Sequence, residues 1–442
     1  MGFIPAYIAI LAFTITIDYF AGLYIEKLQG KNKRYFLILS IISNIGILFV
    51  FKYFNFFNTN IAKLAEVLHL HYPIESLALI LPIGLSFHTF QSLSYIIEVY
   101  RGNQKAERSF GIFALYVMFY PQLVAGPIER PQNLLHQFHE KHYLKFEQFF
   151  SGLGLVIWGL FKKTVISDRI AIFVDQIFNN SGNYFGGHFA LATFLFAFQI
   201  YCDFSGYSDM ARGLARTLGF ELMVNFRAPY FSRSISEFWS RWHISLSTWF
   251  KDYFYISLGG NRVAKWRWQL NLFLTFLLSG IWHGASWAFV IWGSLNGFYL
   301  VFSLLTATWR KQLVSTLGLQ KVTWLYTALQ QLITFALICV AWVFFRAKTF
   351  TEARYVLTRI FTMNWNLKAV FEYYHQYFNS LTIGFVGIAC LLVADYLITN
   401  EKYRARLTSF AMPFKFTFFA VLVFLIMLLG QFNNDQFIYF QF

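Results

Sequence analysis

The stretch Leu277-Leu278-Ser279-Gly280-Ile281-Trp282-His283-Gly284-Ala285-Ser286-Trp287 places a histidine deep inside an apolar part of the chain. The imidazole nitrogens need polar partners that lipid cannot offer, so a histidine at membrane depth is costly. We therefore expect His283 to face a protein interior or a water-filled cavity, where a titratable side chain is a candidate functional group. The alternative is a structural histidine bonded to a neighbouring helix.

Composition assigns the chain to the membrane. Of its 442 residues, 57% are hydrophobic and 13% are charged, whereas a soluble domain carries about 25% charged residues. We therefore predict an all-α polytopic membrane protein, with a single integral-membrane domain covering 1–442 and room for roughly ten or eleven helices of about 20 residues. The apolar runs place the predicted spans at 3–25, 34–56, 76–98, 110–125, 149–167, 189–205, 269–285, 287–306, 324–345, 381–399 and 413–431.

Two of these spans, 110–125 and 149–167, are short or interrupted by polar residues. Irregular backbone at membrane depth is tolerated where it is packed inside protein. We therefore expect these two segments to be tilted or re-entrant.

The charge distribution predicts the orientation of the first spans. The net charge is +15, and the basic residues cluster in short loops, which is the positive-inside pattern of a membrane protein. No nucleic-acid recognition motif accompanies the charge, so nucleic acid is not expected as a partner. We expect the loops 26–34 and 101–108 to be cytoplasmic, the loop 57–75 to be external and the first span to be retained.

The segment 208–268 is too polar to cross a bilayer, yet it is rich in tryptophan and arginine, which favour the membrane–water interface. An apolar stripe at three- and four-residue steps predicts an amphipathic helix here. Glu237 and Arg241 lie four residues apart on another face and can pair. A surface anchor would explain the tryptophans but not the histidine on the stripe. The members of the stripe are Ile235, Trp239, His243 (or Trp242), Leu246 and Phe250.

His243 and His283 lie on adjacent predicted segments, and a helix running back from the interface can bring them into one chamber. No carboxylate or third histidine shows the spacing of a metal site, and no Gly-x-Ser-x-Gly turn supports a serine triad. What remains is a base that deprotonates a hydroxyl supplied by a substrate. Gly280 and Gly284 flank His283 at a spacing that marks close helix packing or leaves room for a thioester beside the imidazole.

Two further polar clusters lie at the ends of predicted spans. The run 201–209 holds Asp203 and Asp209 with two serines. Because a buried carboxylate requires a counter-charge, we predict an arginine of the following loop as the partner of Asp203, in a structural or a catalytic role. The run 123–130 holds a Gly-Pro break, which is either an ordinary turn or an unwound segment lining a cavity.

These residues together resemble the membrane-bound O-acyltransferase (MBOAT) family, and within it the bacterial branch that contains the alginate O-acetylase. The Arg-Trp-His block at 241–243 and the Trp-His-Gly block at 282–284, in this order, are specific. The likeness extends from about residue 5 to about residue 350, with a motif-bearing core at about 76–350. The matching stretches are Leu81–Phe87, Tyr120–Ile128, Asp203–Asp209, Ser234–Trp249, Leu258–Arg262, Ile281–Ala285 and Trp342–Ala347.

The resemblance implies a ring of about 11 transmembrane helices, with interfacial and re-entrant helices, around a central tunnel. His283 matches the family's catalytic histidine, and His243 matches its second active-site histidine on the cytoplasm-facing side. An acyl group passes from a cytoplasmic thioester donor, such as acetyl-coenzyme A, to an acceptor on the far side, with no permanently bound cofactor and no metal. The candidates for lining the tunnel are Asp203, Ser205, Trp239, Arg241, Trp282 and Asn261.

The function implied by the resemblance is O-acetylation of an extracytoplasmic polysaccharide, as in alginate biosynthesis, directly or through an SGNH-type acetyltransferase partner. The protein is then a multi-pass enzyme in the lipid bilayer of the bacterial cytoplasmic (inner) membrane. One alternative is D-alanyl transfer to teichoic acid from a carrier protein, by a related branch. Another is a transporter or flippase without chemistry, which polar residues in spans also fit, although the two halves show no inverted repeat.

Overall fold

The computed structural model describes residues 7–82, 84–124, 126–362, 365–432 and 437, apart from the side chains of 407 and 408. The described residues form helices and connecting loops, with no β-strand among them, which confirms the all-α prediction. Ile83 and Ala125, which belong to two of the matched stretches, and positions 3–6 of the first predicted span lie outside the described residues.

The chain divides into two compact units, one of Met1–Gly152 with Leu214–Met223 and one of Leu153–Gly213 with Val224–Phe442. The helices of the N-terminal part are α1 (Tyr7–Lys27), α2 (Gly30–Leu48), α3 (Phe54–Val67), α4 (Leu85–Arg101), α5 (Phe110–Val117) and α6 (Pro131–Leu134). The remaining helices are α7 (Phe146–Leu160), α8 (Asp168–Asn179), α9 (Gly186–Thr217), α10 (Ile235–Arg241), α11 (Ile244–Phe250), α12 (Lys265–His283), α13 (Trp287–Leu305), α14 (Ala307–Thr316), α15 (Thr323–Arg346), α16 (Phe350–Phe361), α17 (Leu367–Gln376), α18 (Phe378–Thr399), α19 (Glu401–Thr408) and α20 (Met412–Leu429).

Turns of other helix types connect several of these helices. The π-helical turns are Phe49–Tyr53, Phe161–Ser167 and Lys251–Tyr255. The 3-10 turns are Leu135–His139, Ser181–Asn183, Pro229–Phe231 and Leu319–Lys321. Two of the π turns join their flanking helices into the continuous stretches Gly30–Val67 and Phe146–Asn179.

Within the described residues, eight helical stretches are long and apolar enough to cross a bilayer. They coincide with eight of the predicted spans and confirm a multi-pass membrane protein. The predicted interruption at 149–167 is a π turn inside a continuous helix, so this segment is not re-entrant. The eight stretches are Tyr7–Lys27, Gly30–Val67, Phe146–Asn179, Gly186–Thr217, Trp287–Leu305, Thr323–Arg346, Phe378–Thr399 and Met412–Leu429.

The predicted number of eleven spans is not confirmed, because three of the predicted spans are not long apolar helices. The run 76–98 is helical only from Leu85 onward, and the run 110–125 forms an eight-residue helix followed by turns. The third, α12, has the length of a span, but Lys265, Arg267 and Asn271 make its first turns polar. Each difference comes from a polar or helix-breaking residue inside an otherwise apolar window.

In the first unit, a buried carboxylate connects α1 and α2. Asp18 is fully buried and accepts hydrogen bonds from the Ser40 hydroxyl at 2.6 Å and the Asn44 amide at 2.9 Å. At the end of the same helix, Glu26 accepts from the Ala106 N–H and from the Arg108 guanidinium. The two basic loops predicted to be cytoplasmic are therefore in contact, so they lie on the same side.

Two of the matched stretches also meet in the first unit. Gly84 has a φ of +81°, and a Cβ added there would lie 2.7 Å from the Leu123 carbonyl oxygen. Only glycine satisfies both the left-handed backbone and this approach without strain. The Gly-Pro break follows within a non-helical segment, where Gln122, Ile128 and Glu129 are buried. This segment is therefore packed inside the unit and is not a solvent-exposed turn.

The second unit is built around α9. Most of its apolar window, 83%, is buried inside the protein, so this helix faces protein and not lipid. The π-helical turn Phe161–Ser167 and helix α18 supply part of its surroundings, as shown by a hydrogen bond from the Ser167 hydroxyl to the Gln199 carbonyl and one from the Tyr201 hydroxyl to Asp395. A helix that is mostly enclosed by protein can carry polar side chains because protein partners satisfy them.

Candidate active site

His283 is the last residue of α12, at a break in the chain. The next residue, Gly284, is extended, and α13 begins at Trp287. A helix C-terminus carries a partial negative charge that favours a cationic imidazole by roughly 0.3–1 kcal/mol, and by up to about 2 kcal/mol when partly buried. The local fold therefore places His283 at the negative end of the α12 dipole.

Aromatic rings surround the His283 imidazole. Its centroid lies 4.8 Å from that of Trp282, 4.9 Å from Trp292 and 5.3 Å from Phe345. The side chain is only 8% exposed. Rings of this kind exclude water and hold the imidazole in one orientation.

The glycines on either side of His283 serve helix packing. A Cβ added at Gly280 would lie 2.4 Å from the Phe289 carbonyl oxygen, and one added at Gly293 would lie 2.4 Å from the Phe276 carbonyl oxygen. A Cβ at Gly284 would lie 2.2 Å from the Phe289 ring. Helix α13 therefore fills the space beside both glycines and draws the backbone of α12 close.

His243 lies at a second break, between α10 and α11. The sequence periodicity predicts one amphipathic helix through this region, but the structure interrupts it at His243, whose φ is +43°. Left-handed backbone is uncommon for residues other than glycine and is concentrated at functional sites. The side chain is 1% exposed and lies against the rings of Phe204 and Phe226.

Asn225, which no sequence motif indicates, holds the His243 imidazole. Its Oδ1 lies 3.2 Å from Nδ1 of His243 and accepts from the Ser245 N–H at 3.1 Å and the Ser245 hydroxyl at 3.0 Å. Its Nδ2 donates to the Ser208 hydroxyl at 3.2 Å. The only available signal in the sequence is a carboxamide between Val224 and Phe226, in a segment without helical periodicity.

A chain of indole rings joins the surroundings of the two histidines. Trp242, next to His243, lies 5.0 Å from Trp342, which stacks at 6.2 Å on Trp292 against His283. The ring of Trp239 also contacts this chain of indole rings, with its centroid 5.6 Å from that of Trp292. The structure thus places Trp239 and Trp282 in the aromatic surroundings of His283, and both histidines in one continuous core.

Asp203 and Ser205 belong to a buried charge cluster formed with the π-helical turn Phe161–Ser167. Lys163 lies 2.7 Å from both Asp168 and Asp203. Lys162 lies 2.7 Å from Asp209 and donates to the Ser205 hydroxyl at 2.8 Å. The described counter-charge of Asp203 is thus Lys163, where the sequence predicted an arginine, because the wide π turn directs two consecutive lysines toward α9.

The remaining candidate residues are Arg241 and Asn261. Arg241 pairs with Glu237 at 2.6 Å, as predicted, and donates to the Ala228 carbonyl. Asn261 is exposed in the loop between the π turn Lys251–Tyr255 and α12. The structure gives Arg241 a role in joining α10 to the preceding loop.

The burial of His243 predicts how the stability of the protein depends on pH. Burial lowers the pKa of His243 to about 3, whereas an unfolded histidine has a pKa near 6.5. Above pH 6.5 the ring is neutral in both states, and below it only the unfolded state gains the proton, so the free energy of unfolding falls. We expect the free energy of unfolding of the wild type to fall by about 2 kcal/mol between pH 6.5 and pH 5. The variant His243→Asn should not show this fall.

Denaturant unfolding in detergent at pH 7.5 and pH 5 measures this difference. Asparagine is chosen as the replacement because it also tolerates the left-handed backbone of position 243. His136→Asn, which changes an exposed histidine, is expected to follow the wild type. Equal acid sensitivity of His243→Asn and the wild type would show that His243 gains its proton in the folded protein.

Comparison with known proteins shows the family of this chain. The MBOAT, membrane-bound O-acyltransferase, family model matches residues 109–347, which include both histidines and Asn225. A protein named probable alginate O-acetylase AlgI, of Pseudomonas putida, is 36% identical over 410 residues, covering 92% of this chain and 81% of that protein. The peptidoglycan O-acetyltransferase of Helicobacter pylori is 37% identical over 385 residues, covering 81% of this chain and 71% of that protein.

A further relative belongs to a different branch. The teichoic acid D-alanyltransferase of Bacillus subtilis is 26% identical over 360 residues, covering 78% of this chain and 86% of that protein. Its lower identity places it further from this chain than the two O-acetylating relatives. With a family match over more than half its length and extensive relatives, the chain belongs to the membrane-bound O-acyltransferase family and is an O-acyltransferase.

Proposed function

We propose that this protein transfers an acetyl group from a cytoplasmic thioester donor, acetyl-coenzyme A or another acyl thioester, across the bacterial cytoplasmic membrane for O-acetylation of an extracytoplasmic polysaccharide. The acceptor is the glycan itself or an SGNH-type partner protein that relays the acetyl group. The names of the relatives from P. putida and H. pylori support this, since both refer to O-acetylation of a polysaccharide. The basic loops assigned to the cytoplasm suit an anionic, phosphorylated donor.

The observation that carries the proposal is the position of His283, a buried imidazole enclosed by three aromatic rings at the C-terminal end of a helix. A hydroxyl becomes an effective nucleophile when a base takes its proton as it attacks. In the proposed reaction, the hydroxyl oxygen attacks the thioester carbonyl and its proton passes to His283. The tetrahedral intermediate then expels the thiolate, which recovers the proton from the imidazolium.

The surroundings of His283 favour these reaction steps. The helix C-terminus stabilises the imidazolium that forms, and the rings of Trp282, Trp292 and Phe345 keep out the water that would hydrolyse the thioester. His243 has a different environment, because burial lowers its pKa to about 3 and keeps it neutral. In this proposal His283 is the base, and His243 is a neutral hydrogen-bonding group.

The D-alanyl transfer alternative predicts a different ester on a different polymer, so product analysis separates it from acetylation. Cells that express the wild-type chain or His283→Ala at equal membrane levels are compared for esters released from envelope glycans by mild alkali. We expect acetate to be released from the wild type and lost in the variant. Release of D-alanine that depends on the chain, with unchanged acetate, would contradict the proposal.

A further inference from the structure

We propose that Asn225 is a positioning residue that fixes His243 in the tautomer with its hydrogen on Nδ1 and presents Nε2 as an acceptor to the reacting groups. This inference rests on the proposed function, because it gives His243 a purpose only if that imidazole takes part in acyl transfer. It assigns a role to a residue outside the motif blocks that contain the two histidines.

The orientation of the Asn225 carboxamide follows from the atoms around it. The Ser245 backbone N–H, 3.1 Å away, is always a donor, so the atom that faces it must be the oxygen. On the other side, the amide nitrogen lies 3.2 Å from the Ser208 hydroxyl, which can accept. Reversing the carboxamide would set two donors against each other at Ser245, so the orientation is determined.

The tautomer of His243 follows from this orientation. Oδ1 of Asn225 can only accept, so Nδ1 of His243, 3.2 Å away, must be the donor. A neutral imidazole carries one hydrogen, and with Nδ1 protonated its Nε2 has a lone pair. That lone pair can accept a hydrogen bond from a hydroxyl or a thiol, which are the two protic groups of acyl transfer between an alcohol and a thioester.

The backbone fixes Asn225 against the same break that carries His243. Its carbonyl accepts from the Ile244 N–H at 2.9 Å, and the Arg227 N–H donates to the Arg241 carbonyl at 3.0 Å. The segment that contains Asn225 is therefore paired with both ends of the break between α10 and α11. Because Asn225 and His243 are each 1% exposed, water does not compete for their hydrogen bond.

Three substitutions test the proposal. Asn225→Leu keeps the approximate shape but removes the acceptor, and Asn225→Asp keeps an acceptor while adding a negative charge. Asn271→Leu is the matched control, since Asn271 is another 1% exposed carboxamide, which bonds the carbonyls of Leu258 and Gly260. Rates are measured per folded protein, as ester formation in membrane vesicles supplied with acetyl-coenzyme A.

For Asn225→Leu, we expect the maximal rate to fall by about 10- to 100-fold with a nearly unchanged KM, because the ring loses the hydrogen bond that orients it. Asn225→Asp should retain activity at high pH, but the acid limb of its pH–rate profile should move to higher pH. The sign follows because a neighbouring carboxylate favours the protonated imidazole. Asn271→Leu should lower stability without changing the rate per folded protein.

The tautomer itself is read by nitrogen-15 NMR of protein labelled at histidine, with the His243 signals assigned by their loss in His243→Asn. We expect a protonated Nδ1 and a bare Nε2 in the wild type and in Asn225→Asp, and a mixed or reversed population in Asn225→Leu. This measurement needs no substrate and therefore does not depend on the identity of the donor.

The outcomes separate the two proposals. A protonated Nε2 in the wild type, or a wild-type rate for Asn225→Leu with His243→Ala inactive, overturns the inference and leaves the proposed function intact. A wild-type rate for His243→Ala removes the proposed role of His243. If Asn225→Leu does not fold, the wild-type spectrum and the pH profile of Asn225→Asp still decide the inference.

Discussion

Replacing His283 with alanine or glutamine is expected to lower the rate of acyl transfer by about 10²–10⁴-fold, the usual contribution of a positioned general base. Glutamine retains polarity and approximate size but cannot take the proton, so both variants should lose activity alike. The loss should appear in the maximal rate, because the imidazole acts on the proton that moves during the reaction. Labelled acetyl transfer by purified protein in proteoliposomes measures it.

The control is a second buried histidine among aromatic rings. His188 is buried and lies 5.2 Å from Tyr184 and 5.5 Å from Tyr373, at the start of α9. His188→Gln should reduce stability at most, and its rate per folded protein should remain near that of the wild type. If His188→Gln and His283→Gln lost activity equally, packing and not proton transfer would explain the loss. A transporter or flippase without chemistry predicts that His283 is dispensable.

Replacing Lys163 with methionine is expected to destabilise the protein by about 3–5 kcal/mol, the cost of breaking a buried ion pair by removing one partner. Lys163 lies 2.7 Å from two buried carboxylates, Asp168 and Asp203. Methionine has a similar length and is apolar, so the main change is the loss of this positive charge beside them. Thermal unfolding in detergent, followed by size-exclusion chromatography, measures the effect.

Lys145→Met is the matched control, because Lys145 is exposed and surface substitutions usually change stability by less than about 0.5 kcal/mol. Adding Asp203→Asn to Lys163→Met should restore part of the lost stability, since one of the two carboxylates is then neutral. If Lys163→Met were as stable as Lys145→Met, the positive charge of Lys163 would not be needed to stabilise the two buried carboxylates.

The sequence predicts those parts of the fold that depend on apolar length. The eight long helices, the buried position of His283 and the Glu237–Arg241 pair all follow from runs and spacings. The close approach of α12 and α13 follows from the small residues near His283. Each of these features is local, so one segment of the chain contains the information for it.

Features that depend on contacts distant in the chain are not predictable from spacing. The periodicity continues across His243, so it cannot reveal the left-handed residue that ends α10. The partner of Asp203 is Lys163 on another helix, directed inward by a π turn that no sequence pattern signals. Asn225 lies in a loop without periodicity, and its role depends on the break that positions His243.

Chemical rescue tests whether the imidazole of His283 takes the proton of the attacking hydroxyl. In His283→Ala, the space bounded by Trp282, Trp292 and Phe345 can admit a small ring. Added imidazole is expected to restore formation of the glycan ester in a saturable way, while pyrrole, which has the same shape but no basic nitrogen, is not. Equal rescue by both rings, or a wild-type rate for His283→Ala without any added ring, would show that the His283 imidazole does not act as the base.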